Sequence, residues 1–104
     1  MYRLHVIYGR PTDPAAFDEY YSTTHAPLAR AIPGLRDLTV AKTESLDGST
    51  PTTYLIATLD FDSQEALGAG LSSAEGQAAA ADVPNFATGG VTMLGAELDK
   101  QQLG

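Results

Sequence analysis

The sequence has no cysteine and no tryptophan, only two histidines, and six lysines and arginines against thirteen aspartates and glutamates. The missing cysteines exclude disulfides, thiolate metal sites and a cysteine nucleophile, and two histidines alone are a poor basis for zinc. With a net charge of −7, the chain offers no basic stripe of the kind nucleic acid requires. No run approaches the ~18 apolar residues of a membrane span, and the opening MYRLHVIYGR lacks signal-peptide architecture, so a cytoplasmic location is expected. What is present is a chain of 104 residues that is 43% hydrophobic. That length predicts one domain over residues 1–104, burying somewhat over ~60% of its unfolded surface.

The organising stretch is PTDPAAFDEYYSTTHAPLARAIPGL, residues 11–35. Asp13 is placed to cap a helix whose first position is Pro14, where a missing N–H costs nothing. On a helical wheel Phe17, Tyr21, Thr24, Leu28, Ala31 and Ile32 share one sector, Ala26 and Arg30 fall opposite, and His25 lies on the edge of the apolar sector. Pro27 interrupts this pattern, because proline removes an i to i−4 bond and clashes with the preceding turn, so a kink or break is expected near Ala26. Carbonyls freed there, at the negative end of the helix, would accept the His25 N–H or favour its protonation.

Around this stretch, residues 2–8 alternate as a strand with Tyr2, Leu4, Val6 and Tyr8 on one face and Arg3, His5 and Ile7 on the other. Residues 35–44 and 53–61 read as two further strands joined through a turn at Asp47-Gly48. Asp62 with Glu65, and Ser72 with Glu75, have the spacing of capping boxes and predict two helical segments, the first weakened by Gly68 and Gly70, the second ending near Pro84. Residues 91–99 give a fourth strand with a bulge or close contact at Gly95, and the tail KQQLG reads as polar and loose. The order βαββαβ is the ferredoxin-like α+β pattern, a four-stranded antiparallel sheet with helices on one face. Its other face would be left bare, and pairing two such sheets across a two-fold axis covers it, so a homodimer forming an α+β barrel is expected.

The spacing of Phe17, Tyr20, Tyr21 and His25-Ala26-Pro27-Leu28, followed by Ile32-Pro33-Gly34-Leu35 and Asp82-Val83-Pro84-Asn85-Phe86, resembles the EthD family of dimeric α+β barrels, named for ethyl tert-butyl ether degradation. The resemblance covers nearly the whole chain. It implies a ferredoxin-like dimer related to lactone isomerases, polyketide cyclases and cofactor-independent monooxygenases that act on small cyclic or aromatic compounds. In the similar methylmuconolactone isomerases a histidine matching His25 belongs to the active site, whereas their cysteine has no counterpart here.

The candidate catalytic residue is therefore His25, as general base or proton donor, and its alternative role is to clamp the helix end by bonding a carbonyl. His5, Ile7, Phe17, Tyr21 and Tyr54 are the candidate substrate-binding residues, expected to share a cleft between sheet and first helix. Tyr20 offers a further phenol; Asp82 either orients an imidazole or caps a turn, and Asp60 and Glu97 are strand carboxylates, candidate cleft acids or solvated strand ends. The leading function is a cofactor-independent isomerase, cyclase or monooxygenase acting on a small apolar ring compound. A non-catalytic binder of such a compound needs the same cleft. Haem handling ranks last, since there is no tryptophan to distort a haem. No metal and no nucleic acid partner is expected.

Overall fold

The computed structural model describes residues 1–101. The last three residues of the KQQLG tail, expected to be loose, lie outside them. The elements are β1 (Tyr2–Gly9), α1 (Pro14–Tyr20), a π-helical turn (Tyr21–His25), α2 (Ala26–Arg30), β2 (Asp37–Lys42), β3 (Thr53–Phe61), α3 (Gln64–Ser72), α4 (Ala74–Asp82), a 3-10 turn (Val83–Asn85) and β4 (Val91–Glu97). The four strands form one sheet in the order β2-β3-β1-β4, every neighbour antiparallel. This is the ferredoxin-like arrangement.

Strand alternation sorts the sheet into two faces. Leu4, Val6 and Tyr8 of β1 and Leu55, Ala57, Leu59 and Phe61 of β3 are buried beneath the helices. Their neighbours Arg3, His5, Ile7, Ile56, Thr58 and Asp60 point the other way and are only half-buried. The alternation slips once, between Tyr8 and Gly9, where Leu55 pairs with Tyr8 and Thr53 with Gly9. Tyr54 is the extra residue, and the bulge turns it onto the helix side against Phe17.

The helix starts depart from expectation by one residue. Ser63, not Asp62, caps α3 by accepting from the Ala66 N–H, because Arg36 draws Asp62 into a two-pronged ion pair. Ser73, not Ser72, caps α4 through the Gly76 N–H. Gly70 does not fray α3: a side chain there would collide with the Pro33 carbonyl, Ile32 and Phe61, so the glycine lets the helix lie close against its neighbours. Gly76 does the same between α3 and α4, where a Cβ would stand 2.2 Å from the Gly70 oxygen.

Candidate active site

The first helix begins as expected, with Asp13 accepting from the Ala16 N–H and Pro14 opening α1. Near Pro27 it is divided, as expected, but without a gap. Instead residues 21–25 widen into a π turn, in which the Ala26 N–H bonds the Tyr21 carbonyl five residues back, and α2 follows at once. The extra residue in this turn rotates the residues near it about the helix axis. Thr24 and Ala31, expected inside, are exposed; His25 and Ala26, expected at the edge and outside, are buried; Ala29 is buried and Leu28 packs half-buried against the core.

His25 is thereby carried inward to 5% exposure. Its Nδ1 lies 3.0 Å from Oδ2 of Asp82, at the last turn of α4, so the partner is a carboxylate and not the helix-end carbonyl considered from the sequence. Asp82, 8% exposed, also accepts from the Tyr20 hydroxyl at 2.6 Å and from Asn85 Nδ2 at 3.1 Å, both on Oδ1. Burial pushes the Asp82 carboxyl up, but the bonds from Tyr20, Asn85 and His25 outweigh it and hold the group below the ordinary carboxylate range. An ionised Asp82 accepts only, so Nδ1 carries a proton toward it, and in the neutral ring the lone pair is on Nε2. Phe86 and Tyr21 flank the imidazole at ring-centroid distances of 4.6 and 5.2 Å.

His25 forms part of the wall of a cavity of about 120 Å³ between the sheet and the helices. Leu4, Val6, Tyr8 and Met93 line it from the strands, Tyr21 and Ala29 from the first helical stretch, and Ala79 and Val83 from α4 and the turn after it. The exposed lining residues Leu71, Ala80 and Met93 mark its mouth.

The structure divides the five residues expected to share a wall. Tyr21 lines the cavity with His25. Phe17 and Tyr54 meet edge to face nearer the start of α1, and the Tyr54 hydroxyl is spent on Asp18 at 2.8 Å. His5 and Ile7 lie on the opposite sheet face, because strand parity sends them away from Val6 and Tyr8. Tyr20 is taken up by Asp82 and stands outside the cavity lining. Asp60 is held by Arg3 on the bare face, and Glu97 is exposed beside the N-terminal ammonium, so neither strand carboxylate reaches the cavity. Tyr8, which sequence reasoning placed on a face without a role, is in the cavity wall; its parity with Leu4 and Val6 was the available signal. Among the described residues no cluster of three or more acidic, histidine or cysteine side chains could hold a metal ion.

Residues 9–90 match the EthD domain, and that span takes in His25, Asp82, β2 and β3, with only Gly9 of β1 and none of β4. The chain belongs to the EthD family. An uncharacterised 11.0 kDa protein from the thcB-thcC intergenic region of Rhodococcus erythropolis is 52% identical over 94 residues, 90% of this chain and 91% of that one. The crystal structure of an EthD family protein from Bacillus halodurans C-125 superposes with a TM-score of 0.90 at 38% identity, covering 95% of this chain and 99% of the other. A dimeric ferredoxin-like protein of unknown function from Thermobifida fusca shares the fold at 19% identity, with a TM-score of 0.70 over 94% and 92% of the two chains.

Proposed function

We propose that this EthD protein is a cofactor-independent enzyme of small-molecule catabolism or secondary metabolism. It moves a proton on a small apolar ring compound, in an isomerisation, cyclisation or oxygenation, with His25 as the acid-base group. The observation that carries this reading is a buried histidine-carboxylate pair in the wall of an otherwise apolar cavity. Asp82 fixes the ring and its tautomer, so Nε2 is the nitrogen free to take a proton, and the imidazolium that forms is stabilised by the carboxylate behind it. A purely structural clamp would need neither the cavity nor the second and third bonds that hold Asp82 charged.

The bare sheet face supports a homodimer, as in the dimeric relative from Thermobifida fusca. Ile7, Ile56 and Leu94 sit on that face, with Ile7 paired to Ile56 across β1 and β3. A second copy would cover them sheet to sheet and leave each cavity within its own subunit.

A panel of cyclic ketones, lactones and phenols, incubated with the protein under air and followed by mass spectrometry and NMR, tests the enzymatic reading. Turnover of a panel member that disappears in His25→Ala and falls in Asp82→Asn, with secondary structure retained in both, is the expected result. Turnover that survives His25→Ala would remove the histidine from the chemistry. Saturable binding with no turnover of any member would make the protein a binder.

A further inference from the structure

Two polar atoms in the cavity have nothing to do in the protein itself. Tyr8 is 1% exposed and Tyr21 5%, both line the cavity, and neither hydroxyl makes a hydrogen bond to any described residue. Every other buried tyrosine finds a partner: Tyr54 donates to Asp18. No side-chain oxygen or nitrogen among the described residues is both fully enclosed and unpartnered, so the Tyr8 and Tyr21 hydroxyl oxygens each keep a contact with open space. For side chains this deeply buried, the open space on hand is the cavity. The two rings meet edge to face at 5.8 Å, and Tyr21 in turn lies 5.2 Å from the His25 ring. An unpaired hydroxyl in an apolar wall costs free energy unless something enters to accept from it.

We propose that the Tyr8 and Tyr21 hydroxyls donate together to one oxygen atom of the substrate, which is a single-ring carbonyl compound with an α carbon against His25. This rests on the acid-base reading of His25 and narrows it to enolisation. Nε2 takes the α proton, the C–H electron pair becomes the C=C bond, and the carbonyl π pair moves onto oxygen, where the two phenols receive the charge. Return of the proton from Nε2 to the same carbon restores the ketone; where the ring also carries a β,γ C=C bond, its return to the γ carbon moves that bond into conjugation and gives the isomer. Burial, the neighbouring Tyr21 and Asp82 raise the Tyr8 phenol, and burial pushes Tyr21 up to about 12, so both remain donors at neutral pH. The size fits one ring: an apolar cavity of roughly 150 Å³ takes up benzene, and this one, about 120 Å³, opens outward past Leu71 and Met93.

Cyclohexanone and methylenecyclohexane are a matched pair of probes, alike in shape and differing in the acceptor oxygen. Binding of each is measured by NMR titration, and α-deuterium exchange of the ketone is followed in D2O, for the wild type, Tyr8→Phe, Tyr21→Phe, the double variant and His25→Ala. The ketone should bind in preference to the hydrocarbon, and the double variant should lose that preference. Each single phenylalanine should slow exchange roughly tenfold or more. Neither should lower the melting temperature, since no protein partner is lost. Equal binding of the two probes, a preference that survives the double variant, a melting temperature lowered by either phenylalanine, or no saturation by either probe overturns the proposal. Exchange lost in His25→Ala but unchanged in the double variant leaves the histidine chemistry standing and removes the tyrosine pair. A tyrosine-dependent preference for the ketone without exchange does the reverse.

Discussion

The two faces of one sheet differ in what they ask of the same strand. Toward the helices β1 sends Leu4, Val6 and Tyr8, all buried; toward the opposite side it sends Arg3, His5 and Ile7, all half-buried. On the bare side the polar groups largely satisfy one another, Arg3 gripping Asp60 with two bonds at 2.7 and 2.9 Å and the Thr39 and Thr58 hydroxyls meeting across β2 and β3. On the covered side two tyrosine hydroxyls are left without a protein partner beside His25 in an apolar-walled cavity. A buried acid-base group with unpaired donors beside it suits a polar ligand atom, whereas a closed set of pairs is what a surface awaiting a second sheet requires.

The largest test of this contrast is Phe61→Ala. Phe61 is fully buried on the helix side and packs against Gly34 and Gly70, and its loss should cost about 3–5 kcal/mol in urea unfolding. Next comes Asp82→Ala, which strands the buried His25 N–H and frees the Tyr20 hydroxyl and the exposed Asn85 amide, and should cost about 3 kcal/mol by the same measurement. Asp82 and Asp60 both have folded-state values lowered below their unfolded ones. The stability they contribute is therefore fully present above the unfolded carboxylate value near pH ~4 and is lost as pH falls through the folded values. Unfolding free energy should accordingly stay level between pH ~7 and ~5 and drop on further acidification. The drop should be smaller in Asp82→Asn.

On the bare face Ile56→Lys should leave the fold intact and convert a dimer to a monomer in sedimentation, because it places a charge where two sheets would meet. A dimer that persists would move the interface elsewhere. The smallest effect belongs to His5→Ala, expected to change stability by no more than about 0.5 kcal/mol and to leave turnover in the cavity unchanged. A loss of turnover there would join the two faces that the sheet holds apart.

Much of the architecture is legible in residue spacing. Period-two alternation from Tyr2 to Tyr8 marks β1, the run Thr53–Phe61 marks β3 to the residue, and Asp13-Pro14 marks the start of α1. Where the reading slipped, a long-range contact decided between adjacent local choices. Asp62 and Ser63 were both able to cap α3, and it was Arg36, 26 residues away, that removed Asp62 from the competition. The site was half legible. His25 and Asp82 were visible as candidates, but their pairing spans 57 residues, and the wheel put His25 at an edge because a wheel assumes equal steps of 100°. One widened turn breaks that assumption locally: Thr24, His25 and Ala26 leave their wheel positions, while Ile32 is buried where the wheel has it. Pro27 located the irregularity without revealing its form, since a missing N–H is accommodated equally by a break or by a turn with one residue more.

That widened turn also sets how the site can be gained or lost over generations. Point substitutions alter one side chain at a time, whereas removing a single exposed residue such as Thr23 or Thr24 would tighten residues 21–25 into an ordinary turn and swing the downstream wall of the cavity outward in one event. A helix of this kind keeps its length as a heritable trait. Two chains that differ by one codon here would share nearly every residue and yet present different walls to the same sheet.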